Sequence, residues 1–170
     1  MVRKLENYFD FAENDYAFFM AAYDHHMIAN QMGAIAQGIC EKYMKHIISE
    51  YVIPQSEVEA NEKTAVLRTH SLTKLLRFAK SKVPEFEIDR KKVQIIDGYY
   101  FTTRYPGDDS ISIDEDDIED CRQAIEECRA KVLNHMNNYQ MNRYQEDLSG
   151  LPAKPEKKLD NKRHSHTPRI

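Results

Sequence analysis

Residues 30–52, NQMGAIAQGICEKYMKHIISEYV, decide how the rest of the chain must be arranged. Met32, Ile35, Ala36, Ile39, Cys40, Tyr43, Met44, Ile47, Ile48, Tyr51 and Val52 recur at steps of three and four. That is the period of an amphipathic helix, here roughly five to six turns long. Gln31, Gln37, Glu41, Lys42, Lys45, Ser49 and Glu50 fall mostly on the other side. Gly33 and Gly38 each lower helix propensity by ~1 kcal/mol relative to Ala. Lacking side chains, they read as points where a neighbouring helix comes close. A stripe of this length needs partner helices to cover it.

The flanking sequence supplies them. Residues 9–24 (FDFAENDYAFFMAAYD) place Phe9, Phe11, Ala12, Tyr16, Phe19, Met20 and Tyr23 at helical spacing. The short joint that follows favours an antiparallel pair. His25 and His26 lie in this joint with no Cys, Asp or Glu in ligand register, so they read as polar joint residues rather than metal ligands. Pro54 closes the central helix, and residues 53–66 read as a polar connection. A third helix is predicted at about 69–82, with Leu72, Leu75, Leu76 and Ala79 on its face, Thr69 or Ser71 as N-cap and Pro84 beyond its end. A shorter fourth covers about 89–99. Phe101, Thr102 and Thr103 are then expected to be extended, and residues 103–112 (TRYPGDDSIS) to form a loop. The last helix starts near Ser112 or Asp114. Ser112 and Glu115 have capping-box spacing, and acidic residues crowd the first turns. Its stripe is Ile118, Cys121, Ile125, Cys128, Val132, His135 and Tyr139.

The fold class is therefore all-α, an up-and-down antiparallel bundle of four to five helices over residues 1–145, with a flexible basic tail at 146–170. At 170 residues, 41% hydrophobic and 31% charged, the chain is long enough for one domain with a core. The net charge of −4 conceals a split, because residues 154–169 hold six basic and two acidic side chains. Three cysteines, Cys40, Cys121 and Cys128, sit on apolar helical faces and read as reduced, buried thiols of a cytoplasmic protein. They lack the paired spacing of a zinc site. The charged N-terminus excludes a signal peptide, and no apolar run approaches the ~18 residues of a membrane span. Asp108, Ser110, Ser112, Asp114, Asp116 and Glu119 fit the ligand positions of a calcium loop, but Ile113 stands where Gly is required. No metal or cofactor is expected.

The order of short motifs goes further than periodicity. The chain carries AENDYA (12–17), AQGICEKYMK (36–45), THSLTKLL (69–76) and TRYPG (103–107) in succession. This succession, over roughly residues 8–138, resembles the HEPN (higher eukaryotes and prokaryotes nucleotide-binding) domain family. The resemblance implies a small helical bundle that usually dimerises and is often encoded beside a nucleotidyltransferase. Many members are metal-independent RNases, with an Arg followed about four to six residues later by a His near the start of the last helix. In toxin members a nearby Tyr can be modified by the partner transferase.

Here Arg104 stands at about that place, but residues 105–111 contain no His. No obvious group is left there to take the 2′-hydroxyl proton, although Arg104 can still hold a phosphate bidentately. The other reading is that Arg104 and Tyr105 lock the loop onto the bundle. Arg129 and His135 match the spacing but lie mid-helix, with side chains ~120° apart. His70 is expected to be buried, with a hydrogen bond to the neighbouring loop. Glu41 and Lys45 have the spacing of an intrahelical pair, or else Lys42 and Lys45 line a dimer cleft beside Arg104. Asp15, Glu41, His70 and Pro106 belong to the family signature with structural roles.

The expectation is a cytoplasmic HEPN-type nucleotide- or RNA-binding module. It would be a homodimer holding phosphate through Arg104, Tyr105, Lys42 and Lys45, and would act as partner or regulator of a nucleotidyltransferase or defence system. The alternatives are a metal-independent toxin-type RNase using Arg104 or Arg129 with His135 across a dimer, and a structural dimerisation domain.

Overall fold

In the computed structural model, residues 4–149 are described, and among them seven helical segments follow one another without a strand. They are α1 (Tyr8–Asp24), α2 (Asn30–Tyr51), α3 (Glu57–Leu67), α4 (Leu72–Lys82), α5 (Arg90–Ile96), α6 (Tyr99–Thr102) and α7 (Glu115–Ser149). The chain forms an all-α bundle. Helix α2 is its axis, packed between α1 and α7 and also touched by α3, α4, α5 and α6.

The apolar stripe of α2 is buried as expected, except that Ile35 and Tyr51 are only half-buried. The opposite side differs from expectation. Gln37, Glu41, Lys45 and His46 are buried too, because helices cover α2 on nearly every side. The two glycines also part company. A Cβ on Gly33 would lie 2.2 Å from Ile113 Cδ1 and 3.0 Å from Tyr99, so here the chain does come close. Beside Gly38 only the tip of Lys42, 3.4 Å away, is near, so no neighbouring helix approaches it.

Helix α1 is capped by Asn7, whose side chain accepts from Asp10 N–H. It turns into α2 at His26, which takes a left-handed φ of 52°, while His25 Nδ1 sits 2.8 Å from the Ala21 carbonyl. Residues 57–67, read as a polar connection, form α3. No residue of α3 is buried, so it has no apolar stripe to betray it. The signal was Ser56-x-x-Glu59: Ser56 Oγ accepts from Glu59 N–H and the Glu59 carboxylate accepts from Gln55 N–H. Phe101 and Thr102, expected to be extended, lie instead in the single turn α6, entered through Gly98 at φ 114°. The cap of α7 is made by Asp114 and Asp117 rather than Ser112 and Glu115. Each accepts from the other's backbone N–H, at 3.0 and 3.1 Å.

Helix α7 continues through residues 146–149, and the remainder of the basic tail, from residue 150, lies outside the described residues. The three cysteines are buried and free. Burial raises the thiol of Cys121 to about 12 and that of Cys40 well above its usual range. No helix among the described residues is long and apolar enough to cross a membrane.

Candidate functional site

One side chain ties three segments together. Gln37 Nε2 donates to the His70 carbonyl at 2.8 Å, and Gln37 Oε1 accepts from the N–H groups of Gly98 (3.1 Å) and Tyr100 (2.7 Å). All three are orphan backbone groups at helix ends, which a buried amide satisfies. Asp97 adds a second tie. Its carboxylate accepts from Leu72 N–H, Thr73 N–H and Ser71 Oγ, capping α4 from the end of α5.

On this frame His70 and Tyr100 stack with centroids 5.2 Å apart and planes 2° from parallel. Phe101 meets both rings edge-on. The Arg104 guanidinium lies 4.8 Å from the Tyr100 centroid and 5.9 Å from that of Tyr105, within cation–π range. Arg104 is exposed and has no ion pair among the described residues. A shallow cavity of about 450 Å³ opens beside it, lined by Asn30, Thr103, Tyr105, Pro106 and Ser112 among others. The loop keeps its shape through Asn30, which donates to the Ile111 carbonyl at 2.9 Å and accepts from Ile113 N–H at 3.0 Å.

His70 is not buried. Its side chain is 48% exposed, and its hydrogen bond runs to a helix rather than to the neighbouring loop: Nδ1 is 3.0 Å from Glu41 Oε2. Since a carboxylate only accepts, Nδ1 is the donor of this bond, and Nε2 is turned away from Glu41. The other Glu41 oxygen pairs with Lys45 Nζ at 2.6 Å, a buried pair. Lys45, Glu41, His70, Tyr100 and Arg104 therefore form one continuous chain of contacts from core to surface.

The other sequence candidates lie elsewhere. Lys45 is spent on Glu41. Lys42 turns to Asp15 on α1 at 2.9 Å rather than toward Arg104. Arg129 makes a bidentate pair with Glu13, 2.8 Å to each oxygen, and lies over the Tyr16 ring. His135 is buried between Tyr51 and Phe86, its Nε2 without a partner and its Nδ1 3.9 Å from Glu85. Arg129 and His135 do not converge within the chain. Tyr100 was missed: it touches both exposed site groups, but a tyrosine in a YYF run carries no signal of its own.

Fold and site together define an all-helical domain that presents an unpaired guanidinium on an aromatic shelf, with a carboxylate-held imidazole on the same shelf. Residues 59–136 match the family model of the HEPN domain. The matched stretch runs from within α3 to the middle of α7. It contains His70, Tyr100 and Arg104, and stops short of the α1 and α2 motifs that also carry the resemblance. No curated protein and no solved structure matches the chain.

Proposed function

We propose that the chain is a nucleotide- or RNA-binding module. Arg104 takes a phosphate, with the exposed rings of Phe101 and Tyr105 beside it for a base. The observation that carries this reading is the unpaired guanidinium held over Tyr100. A planar fork with no carboxylate of its own is preorganised for a phosphate, and aromatic faces beside a cation suit a stacked base. Lys42 and Lys45 leave this proposal because both are occupied. The resemblance adds the wider role, a cytoplasmic homodimer serving a nucleotidyltransferase or defence system as partner or regulator. The test is equilibrium binding of labelled single-stranded RNA and of mononucleotides to the wild type and to Arg104→Ala. A loss of about tenfold or more is expected, the size of one charge-assisted contact; equal affinities would remove Arg104 from the site.

One observation favours a second reading, a metal-independent RNase. His70 offers the imidazole missing after Arg104, with Glu41 orienting it from behind. In that chemistry His70 Nε2 takes the 2′-hydroxyl proton and the 2′ oxygen attacks phosphorus. The P–O5′ bond breaks, leaving a 2′,3′-cyclic phosphate, and the 5′ oxygen takes a proton from water. Arg104 would hold the charge that builds on the phosphoryl oxygens. RNA incubated in EDTA decides this. The second reading requires cleavage by the wild type that drops about 100-fold in His70→Asn. No cleavage by the wild type, or cleavage that survives the substitution, rules His70 out as the base.

A further inference from the structure

Residues 74–92 hold seven basic and three acidic side chains, a local charge of +4 within a chain whose net charge is −4. Three of the seven cations are engaged: Lys80 with Glu87, Lys82 with Glu59 and Lys92 with Glu127. Lys74, Arg77, Arg90 and Lys91 are exposed and have no ion pair among the described residues. Two of these free cations, Arg77 and Arg90, border a groove of about 390 Å³ between α4 and α5. The groove is floored by Leu76, Ile88 and Val93, and Thr73 and Gln94 stand on its walls. Its volume falls within the ~300–1,000 Å³ typical of ligand sites.

The position of the groove matters as much as its lining. Asp97, just past the end of α5, accepts from Thr73 N–H at the start of α4, so the two helices run side by side from that joint. Thr73 lies three residues beyond His70, and Gln94 six before Tyr100. The groove therefore leads away from the aromatic shelf, with guanidiniums on both banks. Free cations spaced along an apolar floor, beginning at an aromatic platform, match the two needs of a single strand: neutralised phosphates and a surface for unstacked bases. A duplex hides its bases and has no use for the floor.

We propose that the α4–α5 groove is a track for single-stranded RNA leading to the Arg104 shelf, with Arg77 and Arg90 holding backbone phosphates and a base lying over Leu76, Ile88 and Val93. This rests on the RNA-binding reading of the shelf and extends it to a defined path.

The test is fluorescence anisotropy with a labelled single-stranded oligoribonucleotide across a range of salt concentrations. The proteins are the full chain, the double variant Arg77→Gln/Arg90→Gln, Arg104→Ala, and a charge-matched control, Lys4→Gln/Arg143→Gln, with helicity checked by circular dichroism. Removing two phosphate contacts is expected to weaken binding at least tenfold and to flatten the plot of log affinity against log salt by about 1.4, at ~0.7 per contact on a single strand. The control is expected to change neither. If the groove variant keeps both the affinity and the slope, or the control loses as much, the track is wrong. Loss in Arg104→Ala alone overturns the track and leaves the shelf standing. Loss in the groove variant alone removes the shelf and with it the track that leads there. A wild type that binds no RNA, or that a duplex of equal length displaces as well as a single strand does, overturns the track.

Discussion

At the residue scale, Gly33 shows how close the packing around the site is. Its missing Cβ is the space that Ile113 Cδ1 occupies, 2.2 Å from where that atom would stand, with Thr103 at 3.2 Å. Gly33→Ala removes a propensity cost of ~1 kcal/mol but forces Ile113, Tyr99 and Thr103 apart, an overpacking penalty of ~1–3 kcal/mol. A net loss of stability in urea denaturation is expected. In an Ile113→Val background, where the offending methyl is gone, Gly33→Ala is expected to cost less. Two costs that simply add would show that Ile113 is not what excludes the side chain. Glycine spacing in the sequence pointed to close approaches at both Gly33 and Gly38, and only one occurs. What separates them is the neighbour across the gap, which helical period does not encode.

At the element scale, α4 depends on Asp97. Ser71 caps it weakly, accepting from Lys74 N–H at 3.4 Å, whereas Asp97 accepts from two of its free N–H groups at 2.9 and 3.0 Å. Asp97→Ala is expected to cost ~1–2 kcal/mol, at the upper end for a lost cap, because two part-buried donors lose their partner as well. Asp97→Asn keeps one acceptor oxygen and is expected to recover part of it. Chemical denaturation reads both, and equal midpoints for wild type and Asp97→Ala would dismiss the cap. Strongly periodic elements were legible: α1, α2, α4 and α7 begin and end within a few residues of the reading from apolar spacing. Helix α3 was not, because it buries nothing, and α6 was not, because a four-residue turn is shorter than any period. Of the candidate site, TRYPG singles out Arg104, whereas His70 was expected in the interior and stands half exposed, and nothing in the sequence singles out Tyr100. The contacts that define their roles join residues 29 to 63 positions apart in sequence, and single-helix patterns cannot register them.

Across the whole molecule, two buried histidines add a sensitivity to mild acid. His46 and His135 lie in one aromatic cluster with Phe9, Tyr51 and Tyr139. Both ring nitrogens of His46 and the Nε2 of His135 have no partner. Burial lowers both from the ordinary 6.5, and the nearby carboxylates only partly offset it. In the unfolded chain each titrates near the ordinary value, so below about pH 6.5 the unfolded state binds more protons than the folded one. Stability is therefore fully present above that pH and is lost as pH falls from there toward the lowered folded values. Thermal melts from about pH 7.5 down to 5 are expected to show a falling Tm, and His46→Phe, which keeps a ring between Phe9 and Tyr51, is expected to flatten the fall. An identical slope in the variant would place the acid sensitivity elsewhere.

The tie made by Gln37 has a mechanical consequence. One rigid amide, buried at the axis of the bundle, grips the backbone of His70 with its nitrogen and that of Tyr100 with its oxygen. The two walls of the shelf are thus the jaws of a calliper whose screw lies in the core. The stacking of their rings, 5.2 Å between centroids, is held from the interior and not from the surface. The exposed loops around it are free to vary in length and composition, because the gauge of the site is set by an atom spacing that none of them contains.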